Sequence, residues 1–160
     1  MLVGIISDTH DNMDTLKKAV ELFNQRGVGL VLHAGDYVAP FTARELRRLN
    51  CKLVGVFGNN DGDKFMLAKQ FESFGQLFDG LHQLEVGGKV IGMTHYPNIA
   101  ETLASSGAYD VVVYGHTHRA EIREPKPLVI NPGECGGWLE GTCTVAILDL
   151  DTMRTELVKL

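Results

Sequence analysis

The sequence predicts a mixed α/β domain in which two stacked sheets carry helices on their outer faces. Two observations predict it. In the first half, short apolar runs alternate with segments whose apolar residues recur at helical spacing, giving β-α-β-α-β-α. In the second half the apolar runs are short and separated by glycine and polar turns, which reads as mostly β material. Two sheets face to face with helices outside bury both halves. At 160 residues, with 44% hydrophobic and 22% charged residues, one domain with a full core is expected.

The elements follow in order. Leu2–Ile6 is apolar enough for a strand buried on both faces, as in a parallel sheet. Leu16, Ala19, Val20 and Phe23 then mark one face of a helix. Asp11, Asn12 or Asp14 can cap its start and Gly27 can end it. Residues 28–34 form a second strand, with His33 as a packing histidine. Pro40 suits the first turn of a helix running through Leu46 and Leu49. Residues 53–57 make a third strand, and Phe65, Ala68 and Phe71 give the next helix a core-facing stripe. Leu81–Val86 and residues 90–94 pair as a hairpin across Gly87-Gly88. A short helix over 97–106 precedes a strand at 111–114, and Ile122 with residues 128–130, 144–150 and 155–158 finishes the β half.

The net charge of -5 argues against non-specific binding to nucleic acid or to an anionic membrane. No apolar run approaches the ~20 residues of a membrane helix. The N-terminus lacks a basic segment followed by a long apolar core, so no secretion signal is expected. Cys51, Cys135 and Cys143 are odd in number and form no CxxC pair, which fits reduced, buried thiols in a cytoplasm.

Five of the apolar runs stop at polar residues of one kind. They are Asp8 and His10, Asp36, Asn59, His95, then His116 and His118. Ligands of open α/β sheets bind outside the carboxyl ends of the strands, so several of these residues can gather at one rim. Asp8 and His10, two apart on extended chain, point the same way with bases roughly 6–7 Å apart, and His116 and His118 repeat that spacing. Gly35, Gly58 and Gly115 precede three of the motifs and allow tight turns and close approach. The set is a mixed N/O donor group without thiolate, unlike a structural zinc or iron–sulfur site. It exceeds the needs of one tetrahedral ion and suits two ions sharing a carboxylate, ~3.5–4 Å apart.

Asp8-Thr9-His10, Gly35-Asp36, Gly58-Asn59-Asn60-Asp61, Thr94-His95 and Gly115-His116-Thr117-His118 resemble, in order, the motifs of the calcineurin-like metallophosphoesterases. The compact length and Asn131-Pro132-Gly133-Glu134-Cys135 resemble the small prokaryotic phosphodiesterase branch. The resemblance implies a four-layer αββα sandwich with a dinuclear centre between the sheets. Carried over, Asp8, His10, Asp36 and His118 hold one metal, and Asp36, Asn59, His95 and His116 hold the other, with Asp36 bridging. It also implies a small phosphate-ester substrate, attacked in line by a metal-bridging hydroxide, with Asp36 and His95 acting through the metals. Mn²⁺ is favoured, while Ni²⁺, Co²⁺, Fe²⁺ and Zn²⁺ suit the same donors.

Many members carry a histidine where this chain has Asn60. An amide donates a hydrogen bond but does not transfer a proton at neutral pH, so good leaving groups are expected. Asn60 and Tyr96 are the candidate substrate contacts. Glu134 and Trp138 fall near the rim; Trp138 reads as rim packing or a subunit contact, with stacking on a base or aryl group as the alternative. Rival functions are a phosphomonoesterase, a nuclease on small nucleotides, or a non-catalytic protein-interaction scaffold. Exposed edge strands allow a homodimer or larger homo-oligomer.

Overall fold

The structure, a computed structural model, describes residues 1–124 and 126–160. Among the described residues, eleven strands and four α-helices form the layers the sequence predicts. The first sheet holds β1 (Leu2–Ile6), β2 (Leu30–His33), β3 (Lys52–Val56), β4 (Gly75–Phe78), β10 (Thr144–Asp149) and β11 (Arg154–Lys159), in the order β11-β10-β1-β2-β3-β4. The second holds β5 (Leu81–Val86), β6 (Lys89–Thr94), β7 (Val111–Val113), β8 (Ala120–Arg123) and β9 (Leu128–Pro132), in the order β5-β6-β7-β9-β8. Strands β1 to β4 run parallel, as do β6, β7 and β9, so each sheet sends its parallel carboxyl ends to one rim.

Three apolar clusters glue the four layers. Helices α1 (Met13–Arg26), α2 (Ala43–Leu46) and α3 (Lys64–Phe71) bury Leu16, Phe23, Leu46 and Phe71 against Val31, Leu53 and Ile147 of the first sheet. Between the sheets, Val3, Ile5, Leu32 and Ala146 meet Ile91, Met93, Val113 and Ile130. Helix α4 (Pro97–Ser105) covers the far side with Ala100 and Leu103 on Val112 and Val129. Among the described residues, no helix is long and apolar enough to cross a membrane.

Local chemistry sets the boundaries. Asn12 caps α1 by accepting from Thr15 N–H at 3.3 Å, and Gly27 ends it in a left-handed conformation. Gly87 and Gly88, with φ of 57° and 72°, turn the β5–β6 hairpin.

The structure corrects three expectations. Pro40 opens a 3-10 turn over Pro40–Thr42 and only four α residues follow, so Leu49 lies beyond the helix. Phe65 is 77% exposed. The buried pair of α3 is Leu67 and Phe71, four apart, and a residue two before Leu67 is turned about 200° away. Strand β4 has no counterpart in the sequence reading, because Gly75-Gln76-Leu77-Phe78 is short and does not alternate. His33 is a packing histidine as expected: it is buried and stacked 3.7 Å from the Tyr37 ring.

Candidate metal centre

The centre is assembled by loops that leave regular backbone as soon as their strands end. After β1, Asp8 and His10 take φ of 52° and 41°, and Asp36 after β2 takes 60°. Backbone bonds zip the two loops together: Asp8 N–H to Gly35 O at 3.0 Å, and His10 N–H to Asp36 O at 3.1 Å. His116 and His118 after β7 are also left-handed, at 71° and 62°. The expected extended geometry of both pairs is therefore wrong; a curled backbone makes them converge. Left-handed conformation is costly for residues with a Cβ and collects where function over-determines it.

Asp36 sits at the middle and is gripped by the loop after β3. Asn60 donates its N–H to Oδ1 and its Nδ2–H to Oδ2, both at 2.8 Å. Buried Asp61 accepts from the backbone N–H of Gly58, Asp36 and Val38 at 2.7, 3.2 and 2.8 Å. Burial pushes the Asp61 carboxyl above its usual range, against those hydrogen bonds. Gly58 has no alternative here: a Cβ would come within 2.7 Å of Asp36 N. At Gly115 a Cβ would meet Asp8 Oδ2 at 2.9 Å.

The second sheet contributes imidazoles. His95 is fully buried, with Nδ1 2.8 Å from Ala34 O. A carbonyl only accepts, so Nδ1 carries the proton and Nε2 presents a lone pair in the neutral ring. That nitrogen lies 2.9 Å from Asn59 Oδ1 and 3.2 Å from His116 Nδ1, which is itself 2.9 Å from Asn59 Oδ1. His118 points Nδ1 at the buried Glu134 carboxylate, 2.7 Å away, and Nε2 towards Asp8 Oδ1 at 3.5 Å. The Tyr96 ring stands at the edge, with centroids 5.2 Å from His95 and 5.7 Å from His116.

All seven donor residues inferred from the sequence thus meet at one rim. Asp8 Oδ1 and His10 Nε2 are 3.7 Å apart, His10 Nε2 and Asp36 Oδ2 3.5 Å, and Asp36 Oδ2 and His95 Nε2 3.5 Å. These separations are too long for hydrogen bonds but close to the ~3.0–3.4 Å between neighbouring donors on one cation at ~2.1 Å. Asp8 Oδ1 and His10 Nε2 are buried with no hydrogen-bond partner, among the described residues. Orphaned buried polar atoms are expensive, and a cation would satisfy both. Two compact groups, Asp8–His10–His118 and Asp8–Asp36–His95, have donor atoms all within 4.8 Å of one another. Burial pushes the Asp8 carboxyl up, but His10, Ser7, His95 and His118 more than offset this and hold it below its usual range. The Asp8 carboxylate in turn raises the His10 imidazole. The residues present fit divalent ions.

The sequence reading left Glu134 without a role and Asp61 unassigned. Glu134 is found only through contacts with a histidine 16 residues earlier and with backbone N–H groups ahead of it, which no spacing rule encodes. Trp138 is 64% exposed, and its indole N–H donates to His10 O at 3.1 Å.

Known proteins share this sequence pattern and fold. A phosphodiesterase from Methanocaldococcus jannaschii is 39% identical over 156 residues, covering 94% of each chain. A solved structure described as a novel archaeal phosphodiesterase superposes with a TM-score of 0.95 at 37% identity, covering 100% of both chains. Vps29 from Chaetomium thermophilum, at 17% identity and a TM-score of 0.73 over 100% of this chain and 94% of that one, shares the fold alone. The model of the calcineurin-like phosphoesterase superfamily domain matches residues 1–153. This chain belongs to the calcineurin-like phosphoesterase superfamily.

Proposed function

We propose that the chain is a dinuclear, metal-dependent phosphodiesterase. In this reading Asp8, His10, Asp36 and His118 hold one divalent ion, and Asp36, Asn59, His95 and His116 hold the other. The observation that carries it is the donor cluster itself, with Asp36 Oδ2 at 3.5 Å from a nitrogen of each half and two buried donor atoms without a hydrogen-bond partner among the described residues. Divalent ions held there supply Lewis acidity towards phosphate oxygens and lower the pKa of a bound water towards ~7.

The chain's own residues do the rest. Ala34 O and Glu134 hold protons on the outer nitrogens of His95 and His118, leaving the inner nitrogens free to ligate. Asp8 and Asp36 offset two of four positive charges, so an acidic protein presents a locally positive pocket to a phosphate ester. Asn60 steadies Asp36 from the open side, and with Tyr96 it lines the approach of the substrate. Because its amide transfers no proton, esters with good leaving groups are favoured, and diesters over alkyl monoesters. The phosphodiesterase among the relatives supports that preference. Mn²⁺ is the first candidate, with Ni²⁺, Co²⁺, Fe²⁺ and Zn²⁺ compatible with these donors. Unpaired Cys51, Cys135 and Cys143 support a reducing cytoplasm.

Hydrolysis of bis(p-nitrophenyl) phosphate, measured across these metals, tests the reading. Activity that disappears on chelation and returns with metal is expected. No turnover with any of the five metals would favour the scaffold reading instead.

A further inference from the structure

We propose that Glu134 is a positioning residue that serves one half of the centre only. It sets the tautomer of His118 and pins the loop that brings Trp138 onto His10. The inference rests on the two-ion reading above.

The Glu134 side chain is fully buried just beyond the carboxyl end of β9. Among the described residues no lysine or arginine pairs with it; its partners are His118 Nδ1 and a run of backbone N–H groups. Trp138 N–H reaches Oε2 at 3.1 Å, and Leu139 and Glu140 N–H reach Oε1 at 2.9 and 2.5 Å. Both Glu134 oxygens already accept from backbone N–H groups, so the contact with His118 is made with Nδ1 as the donor, and Nε2 is left as the ligating nitrogen beside Asp8. The same loop sends the Trp138 indole N–H to His10 O, and the His10 and His118 rings stack at 5.1 Å. His118, Glu134, Trp138 and His10 therefore close a ring around one donor group, Asp8–His10–His118. Among the described residues, Glu134 and Trp138 make no hydrogen bond to His95 or His116; His116 N–H meets that group only at Asp8 Oδ2, 3.1 Å away, and His95 is oriented by Ala34 O.

The test is calorimetric titration of the metal-free full chain with Zn²⁺, for wild type and Glu134→Gln. An outer partner of a ligating histidine typically carries 10–100-fold in affinity, so one of two sites should weaken by that factor while the other stays within about twofold. Emission of the lone tryptophan should shift to the red and quench more readily with acrylamide in the variant. Equal affinity at both sites in wild type and variant, or equal weakening at both, overturns the proposal. Should Glu134→Gln fail to fold, the zinc-loaded wild type decides by ¹⁵N-resolved imidazole NMR. A proton on His118 Nδ1 upholds the assignment, and a proton on Nε2 overturns it. Phosphodiesterase activity enters none of these readouts. Wild type that takes up no zinc removes the two-ion reading itself, and this proposal falls with it.

Discussion

The two sheets bring different chemistry to the rim. The first delivers every oxygen donor, Asp8, Asp36 and Asn59, with His10 as its one nitrogen; the second delivers His95, His116 and His118. The oxygen half is held by loops bonded to one another, and Asp36 alone receives bonds from the N–H and amide of Asn60 while Asp61 holds its backbone. In the nitrogen half, His95 and His118 are oriented from outside, by Ala34 O and by Glu134, which frees their inner nitrogens. Neither half is a centre alone. What makes one is the apolar layer between the sheets, which sets their separation.

In the proposed two-ion reading, the largest expected effect is at Asp36, whose Oδ2 lies 3.5 Å from a nitrogen of each half. Asp36→Asn should reduce turnover at least 100-fold, beyond the 10–100-fold of an outer partner, whereas His116→Asn at the exposed edge should lose less. Steady-state kinetics at saturating metal distinguish them, and equal losses would remove Asp36 from its shared position. Next comes the layer between the halves. Met93→Ala and Leu16→Ala each delete a buried side chain and should cost about 2–5 kcal/mol in urea unfolding. Only Met93, which lies between the sheets, should also lower activity at temperatures where both variants are folded.

A smaller effect probes the first sheet alone. Burial pushes the His33 imidazole down to about 3, from an ordinary value of 6.5. The unfolded chain therefore binds the extra proton as pH falls through 6.5, and acidification favours unfolding across the window from 6.5 down to about 3. Between pH 6.5 and 5 this amounts to about 2 kcal/mol, and His33→Gln should flatten that part of the profile. The smallest change is at Asn60. Asn60→His should raise turnover of poor leaving groups about tenfold, short of the 10²–10⁴ of a fully tuned acid. An unchanged leaving-group dependence would mean that Asn60 acts only through Asp36.

The layers and the convergence of the seven candidate side chains were legible because strand ends are marked by abrupt changes from apolar to polar residues. Ile6 to Asp8 and Val113 to His116 are clear boundaries in one dimension. The conformation of those donors was not legible. Aspartate and histidine enter left-handed backbone more readily than most side chains but do not mark it as glycine does, and the loops adopt it through bonds such as His10 N–H to Asp36 O, formed between strands distant in sequence. Phe65 misled for a related reason: helical spacing identifies a stripe, but the packing of Leu67 and Phe71 against the sheet decides which stripe faces inward. The role of Glu134 depends on a pocket of amides created only when residues 138–140 of its own loop curl back over its carboxylate.

The backwards-curled backbone at Asp8, His10, Asp36, His116 and His118 has an evolutionary corollary. Each position is chosen twice, once for its ligating atoms and once for tolerating a geometry that most side chains resist. In a descendant released from catalysis, the first demand lapses and the second persists. Drift at these sites should then favour glycine and asparagine over apolar replacements, each relieving of order 1 kcal/mol of strain, so that a retired member of the lineage keeps the outline of its former pocket in its turns.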